Sequence, residues 1–168
     1  MGNKYQPWRK KNEKEYLSEA VNQYYDDIYR FCFYQTGSRE DSYDITQETF
    51  LRFIKYADSY RDRNLKGYLL TIARNLCVDY FRNLCVTECI ESVIDAGEDD
   101  RGIEQADNFL MLRDYLQKIP EEQREVIILR YYHDLKLKEI SRVLSVNLST
   151  VKSRLRSGIQ NIKRQMEV

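Results

Sequence analysis

The chain has 168 residues, 27 of them basic and 27 acidic, for a formal charge of zero at pH 7. That length suits one compact domain or two small ones, and no apolar run approaches the roughly 18 residues of a membrane-spanning helix. The polar opening Met1–Glu15 has no apolar stretch behind it, so a secretory signal is not expected and the cytoplasm is the expected compartment.

Only two prolines and six glycines interrupt the chain, and helical periodicity runs through most of it. Over residues 14–35, Leu17, Val21, Tyr24, Ile28, Phe31 and Cys32 recur at steps of three and four, which predicts an amphipathic helix. Gly37 is a stop signal and Ser38 a start, with Asp41 three residues on to help the cap. A second helix over 39–56 sets Ile45, Phe50, Phe53, Ile54 and Ala57 on an apolar side. Asp44, Gln47, Glu48, Arg52 and Lys55 lie opposite. A polar loop over 58–64 precedes a third helix, marked by Leu65, Leu69, Ile72, Ala73, Leu76 and Tyr80 and ending near Asn83.

Residues 86–107 differ in kind. Eight carboxylates stand there against Arg101, a net of −7, with no aromatic residue and with Gly97 and Gly102 among the charges. This composition predicts a flexible acidic linker. The flanking segments carry net charges of +2 (1–85) and +5 (108–168), so the zero total hides a basic C-terminal unit. That unit opens with Phe109, Leu112, Leu116 and Ile119 at helical spacing. Pro120 is expected at the first position of the next helix, with Glu121 and Glu122 at its positive end.

Leu137 to Arg164 then reads as a short helix, a turn and a longer basic helix, the order of a helix-turn-helix. Ser149 is placed to cap the last helix, which sets Val151, Leu155, Ile159 and Ile162 on one stripe. Its other faces carry Lys152, Arg154, Arg156, Lys163 and Arg164, with no carboxylate before Glu167. Such a helix can lay donors in a DNA major groove while its charge meets phosphates. The competing reading is a solvated basic face on an ordinary helical hairpin. The four cysteines, Cys32, Cys77, Cys85 and Cys89, are expected reduced. With lone His133 they make no metal site, and no cofactor is expected.

The fold class that follows is all-α: two small helical domains, 1–85 and 108–168, joined by an acidic flexible linker over 86–107, the second carrying the helix-turn-helix. Three runs of residues also resemble a known family. Asp44–Phe53 (DITQETFLRF) resembles the core-polymerase-binding helix of bacterial sigma factors, and Tyr68–Arg82 (YLLTIARNLCVDYFR) the promoter-melting helix that follows it. Ile119–Arg124 and Thr150–Leu155 resemble parts of the family's last domain. Two domains with no third between them are similar to the extracytoplasmic-function (ECF) group. Where that family often has Pro-Gly before the recognition helix, this chain has Leu148-Ser149.

The resemblance implies a non-catalytic protein whose partners are bacterial core RNA polymerase and promoter DNA, with no membrane insertion; it also permits an anti-sigma partner. It places polymerase contacts at Asp44, Gln47, Glu48, Phe50 and Arg52. It assigns the −10 promoter element to Tyr60, Arg61, Asn64, Arg74, Asn75, Asp79 and Arg82, and the −35 element to Ser149, Thr150, Lys152, Ser153, Arg154 and Arg156. The acidic linker is implied to thread toward the polymerase cleft. Two other classes compete: a standalone helix-turn-helix regulator, which would bind paired half-sites as a dimer, and a helical adaptor whose basic helix docks an acidic protein. An enzyme has least support, with one histidine and no phosphate-cradling glycine loop.

Overall fold

The computed structural model describes residues 13–60, 64–87 and 111–167, and every regular element among them is helical. The acidic linker predicted over 86–107 lies outside these residues except for its first two positions, where α3 continues to Thr87. Helices α1 (Glu13–Thr36), α2 (Arg39–Lys55) and α3 (Leu65–Thr87) pack mutually into an N-terminal bundle. The C-terminal unit holds α4 (residues 111–117), α5 (Glu121–Ile127), α6 (Leu137–Leu144) and α7 (Leu148–Met166).

Local chemistry accounts for the boundaries. Gly37 takes the left-handed conformation (φ 72°) that ends α1, and its N–H closes onto the Phe33 carbonyl at 2.9 Å. The Ser38 hydroxyl accepts the Asp41 N–H at 3.3 Å to cap α2. The Asp41 carboxylate does not complete this cap; it accepts from the Tyr80 hydroxyl at 2.8 Å and ties α2 to α3. Along α2, Ser42, Thr46 and Thr49 are fully buried despite their hydroxyls. Thr46 and Thr49 donate to the carbonyls four residues back, at 2.6 and 2.8 Å, so these small side chains pack inward with no orphaned polar atom. Ile54, expected on the apolar side, is instead 46% exposed.

The first turn of α5 is preceded by Pro120, whose ψ of 142° makes it the cap and Glu121 the first helical residue. After Ile127 the helix widens into a π-type turn over Ile128–Tyr132, with the His133 N–H reaching the Ile128 carbonyl at 3.1 Å. The Glu139 carboxylate accepts the Lys136 N–H at 2.7 Å to start α6. Ser145 (φ 53°) turns the chain in the left-handed region. The cap of α7 is Asn147, not Ser149: its side-chain oxygen accepts the Thr150 N–H at 2.8 Å and the Ser149 and Thr150 hydroxyls besides. Asn147 is the residue three before an unsatisfied helix N–H, the position a cap must hold.

The two units do not stand apart. A single cluster of buried side chains runs from Ile28, Phe31, Phe53 and Leu69 into Leu116, Leu129, Ile140 and Val151. Here α3 lies against α6, and α1 against α5 and the π turn. Removing such side chains from water stabilises by about 1.5–3 kcal/mol each, so the joint surface is part of the core rather than a loose contact. Local periodicity gives no sign of this packing.

Candidate nucleic-acid interface

Helix α7 buries Val151 and Gly158, with Leu155 and Ile162 partly covered. Gly158 sits where an added Cβ would stand 2.7 Å from the Ile127 Cδ1 and 3.2 Å from the Gln123 Cβ, so a hydrogen there lets α5 and α7 approach closely. The packing face is therefore rotated from the expected stripe, and Ile159 stays half-exposed. Lys152, Ser153 and Arg156 face solvent together, continued by Gln160 and Lys163. Ser149 is exposed and Thr150 partly so, both engaged by Asn147. Arg154 points elsewhere: its guanidinium reaches the Glu122 carboxylate on α5 at 3.4 Å.

The residues read as facing the −10 element are divided. Asn75, Asp79 and Arg82 lie on an open face of α3, with Arg82 and Asp79 paired at 3.4 Å. Arg74 and Asn64 turn toward the C-terminal unit. Arg74 Nε donates to the Glu125 carboxylate at 2.9 Å, and Asn64 Nδ2 donates to Glu139 at 3.2 Å. Glu125 is 2% exposed; burial raises its pKa while the Arg74 guanidinium pulls it down. Tyr60 is buried, its ring 4.8 Å from that of Tyr68 and edge-on to Phe53. Arg61 lies outside the described residues.

On α2, Asp44, Gln47 and Arg52 are exposed and Glu48 half-exposed, with a 2.8 Å ion pair between Glu48 and Arg52. Phe50 is not on this surface: it is buried and stacked on Tyr25 at 5.9 Å, so it supports the helix from beneath. Sequence reading missed Leu51 and Tyr56, which are 61% and 50% exposed and line a shallow depression with Glu48, Arg52 and Lys55. The signal lay in the helical wheel, since Leu51 stands three residues past Glu48.

Several groups that bind the units together also escaped the sequence. Buried Arg124 donates to the carbonyls of Leu116 (3.0 Å), Ile119 (3.2 Å) and, across the interface, Gln35 (2.8 Å). Its pKa is lowered by burial against the opposing pull of Glu121 and Glu125. Gln117 Nε2 donates to the Tyr34 carbonyl at 2.9 Å, and Arg30 donates to the Tyr132 hydroxyl. No helix among the described residues is long and apolar enough to cross a membrane.

The family description Sigma-70 region 2 matches residues 20–84, and Sigma-70, region 4 matches residues 109–162. The ECF RNA polymerase sigma factor SigW of Bacillus subtilis (strain 168) is 30% identical over 172 residues, covering 94% of this chain and 92% of that protein. The ECF RNA polymerase sigma factor BldN of Streptomyces coelicolor is 29% identical over 163 residues, and the match spans 61% of its length. Among solved structures, the sigma factor RpoE in complex with the anti-sigma factor NepR from Bartonella quintana superimposes with a TM-score of 0.72. It is 20% identical and covers 90% of this chain and 96% of that one. CnrH in complex with the cytosolic domain of CnrY gives 0.73 at 16% identity, over 93% and 90%. At these identities the two structures speak for the fold alone.

Proposed function

The chain belongs to the extracytoplasmic-function group of bacterial RNA polymerase sigma factors, and we propose how its surfaces divide the work of binding core polymerase and recognising a promoter. Residues 1–85 form the unit that takes core polymerase and the −10 element, 86–107 the connector, and 108–168 the unit that takes the −35 element. The protein performs no catalysis and acts in the cytoplasm, where the polymerase is. The outward face of α2, with Asp44, Gln47, Glu48 and Arg52 around Leu51, docks on the polymerase.

Asn75, Asp79 and Arg82 on α3, with Asn64, Arg74, Arg61 and Tyr60, take the −10 strand. There an unstacked base needs a ring or pocket and the backbone needs positive charge. Tyr60 serves after the packing around it loosens, since its ring is covered in this arrangement. Lys152, Ser153 and Arg156 enter the major groove at the −35 element while Ser149 and Thr150 meet phosphate at the start of α7; Arg154 joins them by releasing Glu122.

The observation that carries this division is the face of α7, where exposed Lys152, Arg156 and Lys163 share one side of a helix that has no carboxylate before Glu167. An anti-sigma protein, the kind of partner present in the superimposed RpoE complex, belongs to the proposal as a regulator. The test is transcription in vitro with bacterial core polymerase and a library of promoter fragments. New start sites that need the chain and share two spaced upstream elements are expected. Co-migration with neither core polymerase nor DNA would overturn the assignment of surfaces.

A further inference from the structure

Two adjacent carboxamides on α7 are held differently. Asn161 Nδ2 donates to the Gln123 side chain on α5 at 2.8 Å, which turns it into the packing of the C-terminal unit. Gln160 is exposed, and its side chain takes no hydrogen-bond partner among the described residues. It stands on the face that carries Lys152, Arg156 and Lys163, and these four line an open depression of about 570 Å³ together with Leu155 and Ile159. Ile159 is half-exposed, so the face has an apolar floor among its polar side chains.

The chemistry along that face is not uniform. Lysine and arginine carry only donors, so Lys152, Arg156 and Lys163 leave any N–H group on a base edge unanswered. Gln160 offers an acceptor oxygen and two N–H donors in one plane. An adenine in the major groove presents the complement, an N6–H donor beside the N7 acceptor, and the thymine paired with it presents a methyl group. A carboxamide next to a half-exposed isoleucine therefore matches both halves of an A·T pair. Gln160 lies four residues beyond Arg156, about 6 Å along the helix axis, which corresponds to about two base pairs at about 3.4 Å each.

We propose that Gln160 is a specificity-determining residue of this chain: it reads adenine through paired hydrogen bonds in the major groove, while Ile159 covers the methyl group of the paired thymine. The inference rests on the assignment of the exposed face of α7 to duplex DNA at the −35 element. It adds a base preference at a position where the cations of the same face supply none.

The test uses holoenzyme formed from the full chain and bacterial core polymerase. A barcoded duplex library is randomised upstream of the start site, and the run-off transcripts are sequenced. Wild-type holoenzyme should enrich adenine at one upstream position. Gln160→Ala should lower that enrichment about tenfold while leaving the other positions as they were. Gln160→Glu keeps the shape but has acceptors only, so it should move the preference at the same position from adenine to cytosine. Replacing the paired thymine by deoxyuridine removes the methyl group alone and should weaken use by the wild type about threefold. Ile159→Ala should be insensitive to that replacement.

A loss in Gln160→Ala that is equal at every sequence overturns the proposal, since the contact would then be to phosphate. So does a Gln160→Glu variant whose base preferences match the wild type. Equal use of thymine and deoxyuridine by the wild type overturns the Ile159 contact. Arg156→Ala separates the underlying assignment. If neither it nor the Gln160 variants alter any upstream preference, α7 does not read the duplex and the assignment falls. If Arg156→Ala alone shifts the preferences, the assignment stands and Gln160 has no part in it.

Discussion

His133 is the chain's one histidine and is 3% exposed, between the Phe31 ring at 5.9 Å and the Tyr132 ring at 5.0 Å. Burial first and the Lys66 ammonium second, with Asp27 opposing, push its pKa down to about 4, where an unperturbed imidazole titrates near 6.5. The native state thus binds fewer protons than the unfolded one between these values. Stability is complete above about pH 6.5 and falls as the pH drops toward 4. Weighing the two titrations at about pH 5 gives a loss of about 2 kcal/mol relative to about pH 8.

Replacing the imidazole by a phenyl ring, His133→Phe, keeps the aromatic volume and removes both the titration and two unpaired nitrogens. The variant should be more stable by about 1 kcal/mol near neutral pH and should lose less on acidification. Urea unfolding followed by circular dichroism at about pH 8 and about pH 5, for both proteins, isolates the difference. Glu125, whose raised pKa acts in the opposite direction, is common to both and subtracts out. If the two proteins lose equal stability on acidification, His133 is not buried as a neutral base and the reasoning fails.

Other expectations address packing and surfaces separately. Gly158→Val should lower stability by about 1–3 kcal/mol through overpacking against Ile127, read as a drop in thermal midpoint. Arg124→Met leaves the Gln35, Leu116 and Ile119 carbonyls without their donor and should cost about 3 kcal/mol in urea unfolding. Leu51→Ala, at a 61% exposed position, should change stability by less than about 0.5 kcal/mol. Its affinity for core polymerase in a sizing or anisotropy assay should fall about fivefold or more. Lys152→Ala and Arg156→Ala should each lower the slope of log affinity for −35 duplex against log salt by about 1.

The N-terminal helices were legible because Leu17 to Cys32 and Leu65 to Tyr80 keep strict helical spacing and because Gly37 and Ser38 punctuate them. Less legible was anything decided by a partner. Thr46 and Thr49 gave no apolar signal but are buried, since their hydroxyls are satisfied within their own helix. Ile54 read as core, yet none of the described elements covers it fully and it is 46% exposed. Asn147 outcompeted Ser149 for the cap of α7 by a two-residue difference in position. For the candidate site, sequence named side chains of suitable chemistry but not their orientation. Arg74 and Asn75 are adjacent in sequence, and the helix turns one into the interface and the other to solvent. Phe50 lies within the run that resembles a polymerase-binding helix but is itself buried. Glu125 and Glu139 carry no sequence signal, because their partners lie 51 and 75 residues away.

The last turn of α1 ends on carbonyls that other residues of the same helix cannot satisfy, and those of Tyr34 and Gln35 take their donors from Gln117 and Arg124. The end of one unit's helix is thus completed by side chains of the other. Calorimetry should therefore record one endotherm rather than two, because neither half reaches its full hydrogen-bond complement alone. Amides near the close of α1 should exchange with solvent at the rate of global unfolding.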